Sequence, residues 1–148
     1  MSDNKKIHFE ITTPERIVYS DDVESVSLPT KMGQITILSN HIPLVSSIES
    51  GEVIIRKDGK ENYLAIAGGL VEVKGDNRVV ILADTAEHFE EIDEARAEEA
   101  MKRVEDLLKE KREDAEDYAA VAAKLQRELA RLRVARKHRS QRGSVLDS

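Results

Sequence analysis

The sequence predicts a protein in two parts, a mainly β N-terminal sandwich followed by an all-α C-terminal helical hairpin. Three observations carry this. Up to Asp84, short apolar runs are broken at close intervals by Gly, Pro, Asn and Asp, the punctuation of an antiparallel sandwich or barrel. After Ala97 no Gly or Pro occurs until Gly143, and the residues are nearly all Ala, Leu, Glu, Lys and Arg. Between them, Asp84–Ala97 holds a competent helix start. Asp93 is placed to cap it, and Ile92 and Ala97 are spaced as a weak hydrophobic staple. The expected divisions are 1–84 for the sandwich, 85–140 for the hairpin and 141–148 for a disordered tail, with fraying expected from Arg136 onward.

Ile7-His8-Phe9-Glu10-Ile11-Thr12 alternates apolar and polar residues, the period of a strand buried on one face. Pro14 ends it and Arg16–Tyr19 begins the next. Val26 and Leu28 alternate with Ser25 and Ser27, and Pro29 is expected to stop that run. Ile35–Leu38 follows Gly33, and Val53–Arg56 follows Gly51. Asp58-Gly59 is a hairpin signal leading into Tyr63–Ile66. Gly75-Asp76-Asn77 joins Leu70–Val73 to Val79–Leu82, where adjacent β-branched residues suggest a strand covered on both faces.

The period then changes. Ala97, Ala100, Met101, Val104, Leu107 and Leu108 form one helical stripe. The polar stretch Lys111–Asp117 interrupts it, with Asp114 or Asp117 able to cap a second helix carrying Tyr118, Val121, Ala122, Leu125, Leu129 and Leu132. Two such helices with a short link read as an antiparallel hairpin. Its stripes are rich in Ala, and each buried methylene contributes only about 0.8 kcal/mol, so the hairpin is expected to open easily.

Composition excludes several classes of function. The chain has no Cys and a formal net charge of −6, which argues against disulfides, thiolate metal sites and general nucleic-acid affinity. No apolar run follows Met1–Lys6, and none approaches the roughly 20 residues needed to span a bilayer, so a soluble cytosolic chain is expected. Residues 84–117 carry fifteen acids against six Lys/Arg, whereas 131–142 carry six Lys/Arg and no acid. The helix dipole favours that order, and the dense basic end also suits an acidic partner. His8, His41, His88 and His138 lack zinc spacing, no Ser sits in a hydrolase setting, and no phosphate-binding loop occurs. Glu90, Glu91 and Asp93 read as an acidic first turn rather than an acid–base pair. No active site is expected.

Four stretches carry a family resemblance. Gly33-Gln34-Ile35-Thr36-Ile37-Leu38-Ser39-Asn40-His41-Ile42-Pro43-Leu44 is similar to a Gly-acid-x-Gly-Ile-Leu-Pro-Asn-His-x-Pro-Leu pattern. Gly68–Val73, Val80–Glu87 and Ile92-Asp93-Glu94-Ala95-Arg96-Ala97 match in order behind it. Together they resemble the epsilon subunit of bacterial F-type ATP synthase across nearly the whole chain. The resemblance implies a non-catalytic subunit of the central stalk (rotor), lying between the gamma subunit and the c ring at the cytoplasmic face of the cell membrane. It implies coupling of c-ring rotation to the catalytic head, and inhibition of ATP hydrolysis by mobile C-terminal helices. Docking on gamma and the c-ring polar loops would fall to Gly33, Gln34, Asn40, His41 and Pro43. Gln34, Thr36 and Ser39 depart from the family's acid, Gly and Pro. Contacts with the alpha and beta subunits would fall to Arg131, Arg133, Arg136 and Lys137.

Some family members bind ATP as a regulatory ligand on the closed hairpin, with no cofactor required. Similarity places that site on Glu87, Ile92, Asp93, Arg96, Ala97, Arg103, Arg127 and Arg131. Arg forks suit phosphate oxygens, and a carboxylate can accept from the adenine amino group. The alternative for Arg127 and Arg131 is a solvated cationic face, opposite Leu125 and Leu129, that pairs with acids of the first helix. Two other classes of function stand beside the rotor reading. One is a binding module that dimerises through its tail, and the other is an enzyme using the Asp84–Asp93 acids.

Overall fold

Ile7, Phe9 and Ile11 are buried while His8 is exposed and Glu10 and Thr12 are partly so, and the same one-sided burial builds most of the N-terminal half. The computed structural model describes residues 5–110 and 115–138. Eight strands come first: β1 (Ile7–Thr12), β2 (Ile17–Val23), β3 (Ser25–Thr30), β4 (Gly33–Leu38), β5 (Leu44–Ile48), β6 (Gly51–Lys57), β7 (Lys60–Lys74) and β8 (Arg78–His88). A 3-10 turn at Phe89–Glu91 then leads to α1 (Glu94–Glu110) and α2 (Ala115–Lys137). The strands hydrogen-bond in the order β2-β1-β8-β7-β6-β3-β4, with β5 also paired to β7. All pairs are antiparallel except β1 with β8, which runs His8↔Arg78 to Thr12↔Leu82.

Strand β7 belongs to both layers of the sandwich. Its first half pairs with β6 (Lys57↔Lys60 to Gly51↔Ile66), and its second half pairs with β5 (Ile48↔Gly69 to Leu44↔Val73). The change of partner falls at Gly68 and Gly69, whose φ angles are 62° and 140°. At Gly69 a Cβ would lie 2.2 Å from the carbonyl oxygen of Leu82, so the two strands approach there as only Gly permits. The fold encloses Phe9, Ile11, Val23, Leu28, Ile37, Ile55, Leu64, Ile66, Val71 and Ile81, all fully buried or nearly so.

A second apolar cluster lies outside the sandwich. Tyr63 and Ala65 of β7 meet Phe89, Ile92, Ala97, Leu132, Val134 and Ala135, with Ile54 and Met101 alongside. It is α2 that lies along β6 and β7, with α1 packed on α2. Asp93 caps α1 as expected: its carboxylate accepts from the Arg96 N–H at 3.2 Å and its carbonyl from the Ala97 N–H at 2.9 Å. Ile92 and Ala97, the two staple positions, are both buried in this cluster.

Several local expectations are corrected. Pro29 lies inside β3 rather than ending it, opposite Gln34. Its carbonyl accepts from the Glu49 N–H at 3.0 Å, so its missing N–H faces away from β4 and breaks no bond of that ladder. Leu44–Ile48, not anticipated as a strand, forms β5, and the two runs around Gly68-Gly69 form one strand. Val79–Leu82 is covered on one face only, since Leu82 is 57% exposed. The stretch buried on both faces is Tyr63–Ala67, because α2 covers its outer side. Asp117 lies within α2 and does not cap it, and Asp114 falls outside the described residues. The fraying expected from Arg136 is not found at Arg136–His138, where helix continues to Lys137 and His138 is buried. Residues 139–148 also fall outside the described residues.

The Gly69 contact yields a clear expectation. Gly69→Ala should destabilise the sandwich by about 3 kcal/mol, through both backbone strain and the clash with β8. Gly59→Ala has φ of +73° but open space around the added carbon, and should cost about 1 kcal/mol. Denaturant unfolding of the two variants checks the difference.

Candidate functional site

The β1–β2 turn, the end of β8 and the middle of α2 enclose a cleft of about 450 Å³, within the range of small-ligand sites. Thr13, Glu15 and Arg16 form one wall, Asp84–Glu87 the floor, and Arg127, Glu128 and Arg131 the other wall. Arg131 is the central side chain. Its Nε donates to Glu87 Oε2 at 2.5 Å and its Nη1 to Glu128 Oε2 at 2.6 Å. Glu128 is buried, with only 7% of its side chain exposed. Burial alone would lower the Arg131 pKa, but the bonds from Glu128 and Glu87 outweigh it and raise the value above the ordinary arginine range. Arg127 also contacts Glu128, at 3.6 Å, and Arg16 pairs with Glu91 at 3.7 Å.

Three arginines therefore face five acids: Glu15, Asp84, Glu87, Glu91 and Glu128. A phosphate entering this cleft would have to displace Glu87 or Glu128 from Arg131, since an arginine fork already satisfied by carboxylates offers no free donors in that direction.

The eight residues expected to hold a nucleotide separate into groups. Glu87, Arg127 and Arg131 line the cleft. Ile92 and Ala97 are buried in the apolar cluster under the helices. Asp93 caps α1 and pairs with Arg96, whose side chain is 85% exposed, and Arg103 is exposed on α1. The solvated-face alternative fits Arg131 no better, because it faces the sandwich and its side chain is only 22% exposed.

The docking residues also divide. Gly33 and Gln34 open β4, whereas Asn40, His41 and Pro43 follow its end, roughly 20 Å away for a six-residue strand. The second group is held in shape. Asn40 has φ of 63°, its N–H donates to Asn77 Oδ1 at 2.5 Å, and Pro43 lies against Gly75. Large apolar side chains stand out near both groups, with Met32 95% exposed, Ile42 74% and Leu38 59%.

Of the cations assigned to inhibitory contacts, three are paired within the chain. Besides Arg131, Arg136 Nε donates to Glu94 Oε1 at 3.2 Å and its Nη2 bonds Glu98, while Lys137 Nζ donates to Glu52 Oε1 at 3.3 Å. Arg133 is exposed. The sequence reading missed Glu52, Tyr63 and His138, which meet at the end of α2. A signal was present: His138 lies three residues beyond Ala135 and seven beyond Arg131, on one helical face.

Comparison with known proteins agrees with this architecture in both parts. The family model described as ATP synthase, Delta/Epsilon chain, beta-sandwich domain matches residues 6–89, and the one for the long alpha-helix domain matches 90–136. The ATP synthase epsilon chain of Chloroflexus aggregans is 47% identical over 136 residues, covering 92% of this chain and 96% of that one. The epsilon chain of Caldanaerobacter subterraneus subsp. tengcongensis is 44% identical over 136 residues, covering 91% and 97%. A chain in the Euglena gracilis mitochondrial ATP synthase shares the fold, with a TM-score of 0.71 at 20% identity, covering 82% of this chain and 76% of that one. Among the described residues, no helix is long and apolar enough to cross a membrane. The chain belongs to the ATP synthase delta/epsilon chain family, as an epsilon-type subunit that is a non-catalytic part of the stalk.

Proposed function

We propose that this subunit couples rotation of the c ring to the catalytic head and restrains ATP hydrolysis through its two C-terminal helices. In this reading the sandwich docks on the gamma subunit and on the c-ring polar loops, at the cytoplasmic face of the membrane. The helices are the mobile arm. The observation that carries the reading is the pairing of Arg131, Arg136 and Lys137 with Glu87, Glu128, Glu94, Glu98 and Glu52. Closed, the arm keeps these cations on its own acids. Opened, it releases them beside gamma, where they meet acidic segments of the alpha and beta subunits. Apart from the buried Arg131 network these are mostly exposed pairs, each worth about 0–1 kcal/mol, so exchanging them for a partner's carboxylates costs little. The exposed Met32, Leu38 and Ile42 support docking of the sandwich itself.

Removing residues 115–148 should raise ATP hydrolysis by the assembled enzyme, while leaving the subunit in the complex and ATP synthesis coupled. Paired assays of hydrolysis and proton pumping on the truncated and full-length enzymes decide this. Unchanged hydrolysis makes the arm a structural appendage.

ATP is, in this same reading, a regulatory ligand of the closed arm. Arg127 and Arg131 meet its phosphates in the cleft once Glu87 turns away. A charge-assisted hydrogen bond contributes about 1.5–3 kcal/mol, so Arg131→Ala should weaken ATP about tenfold or more. Glu87→Gln should free Arg131 and tighten phosphate binding if the acid's only role is to occupy it. Calorimetric titration of the full chain and both variants reads the two effects, and no saturable binding by the unaltered chain at millimolar ATP removes ATP from the account.

A further inference from the structure

We propose that the last two turns of α2, ending at His138, form a latch that holds the arm closed, and that His138, Tyr63 and Glu52 are its working parts. The packing along the arm is uneven. Toward its tip, Leu107 is 40% and Tyr118 45% exposed, and among the described residues few side chains are buried between the helices. At its base, Ala130, Leu132, Val134 and Ala135 are at most 3% exposed, and His138 follows at 5%. The closed state is therefore held at the sheet rather than along the helix pair.

His138 closes that base. Its ring lies flat on Tyr63, with centroids 3.3 Å apart and planes 10° from parallel, and meets Phe89 edge-on at 5.7 Å and 64°. Such ring contacts add to the area they bury. Nε2 of His138 is 3.3 Å from Glu52 Oε2, within electrostatic reach though not aligned as a hydrogen bond. The other oxygen of Glu52 takes Lys137. Tyr63 is itself fixed, since its hydroxyl donates to Glu61 Oε2 at 2.5 Å and Glu61 also accepts from Arg56 Nε at 3.0 Å. Those two bonds hold the Glu61 carboxyl below its usual pKa. Arg56, Glu61 and Tyr63 thus form a rigid seat on β6 and β7 for a ring delivered by α2. A side chain that ends a helix with 5% exposure and a parallel stack is a docked group.

The latch regulates the proposed inhibitory arm, and its effect on hydrolysis rests on that reading; the latch itself rests only on the contacts above. Because the chain has no Cys, Lys60→Cys on the sandwich and Lys124→Cys on α2 give a labelled pair at two exposed positions for energy transfer in the full chain. His138→Ala should raise the open population about tenfold, the sum expected for a lost stack and a lost charged neighbour. His138→Phe, which keeps the stack, should stay mainly closed. Glu52→Gln should open the arm to a smaller degree, and Tyr63→Ala should act like His138→Ala. A circular-dichroism spectrum with unchanged β content confirms that the sandwich is intact in each. In the assembled enzyme, His138→Ala should lower ATP hydrolysis by favouring the open arm. If His138→Ala and Glu52→Gln both leave energy transfer unchanged, there is no latch. If both open the arm but hydrolysis does not fall, the latch stands and the inhibitory role of the arm is what fails.

Discussion

Strand β7 has to serve two sheets, and the architecture follows from how it manages to do so. Gly68 and Gly69 take backbone angles that side chains resist, which lets the strand change partner from β6 to β5 without leaving β8. The missing Cβ of Gly69 lets the Leu82 carbonyl approach where any other residue would hold it off. The fifteen-residue strand thus closes one layer over the other. Its first half then presents Tyr63 and Ala65 outward as the floor on which the helices rest. The bend that makes the sandwich also makes the platform for the arm.

The two halves of the protein are held together by different means. Inside the sandwich, branched aliphatic side chains and Phe9 fill a closed core with almost no polar atoms. Between the sandwich and the arm, a narrow apolar strip is edged by carboxylates and cations drawn from four elements. An apolar core loses stability steeply when any part is lifted away, because each vacated position leaves a void. A polar-edged strip loses little at a time, because water and other charges can replace each partner. That difference suits a rigid body carrying a movable part.

Much of the fold was legible in the sequence because periodicity reports burial directly. The alternation of Ile7, Phe9 and Ile11, the Asp58-Gly59 turn and the Asp93 cap were readable for that reason. Pro29 misled because a proline's effect depends on which side of its strand is bonded, and sequence does not show sides. Val79–Ile81 misled in a related way: a β-branched run fits two-sided burial, but the second cover went to Tyr63–Ala67, settled by where α2 lands. The candidate site was less legible. Arg127 and Arg131 could be picked out by type and spacing, but the acids that occupy Arg131 come from 44 residues away on β8 and from its own helix. His138 was missed because its helical spacing from Arg131 and Ala135 was masked by the polar, basic residues around it, which read as a fraying end. The assignment to a rotary ATP synthase came from matching motifs and could not have come from periodicity.

The parallel pairing of β1 with β8 links residues some seventy positions apart. Neither layer can be completed until the chain has grown past Leu82, whereas each helix of the arm is made of local contacts that form quickly. Every residue the sandwich needs is made by His88, before α2 begins at Ala115, so the order of synthesis lets α2 arrive last, onto a finished surface. A sandwich built in that order must remain soluble with Tyr63 and Ala65 bare. The Tyr63 hydroxyl, bonded to Glu61 of the same strand, and the small size of Ala65 keep that interim surface modest. The order of birth thus rehearses, once per molecule, the separation of body and arm that the proposed regulation requires.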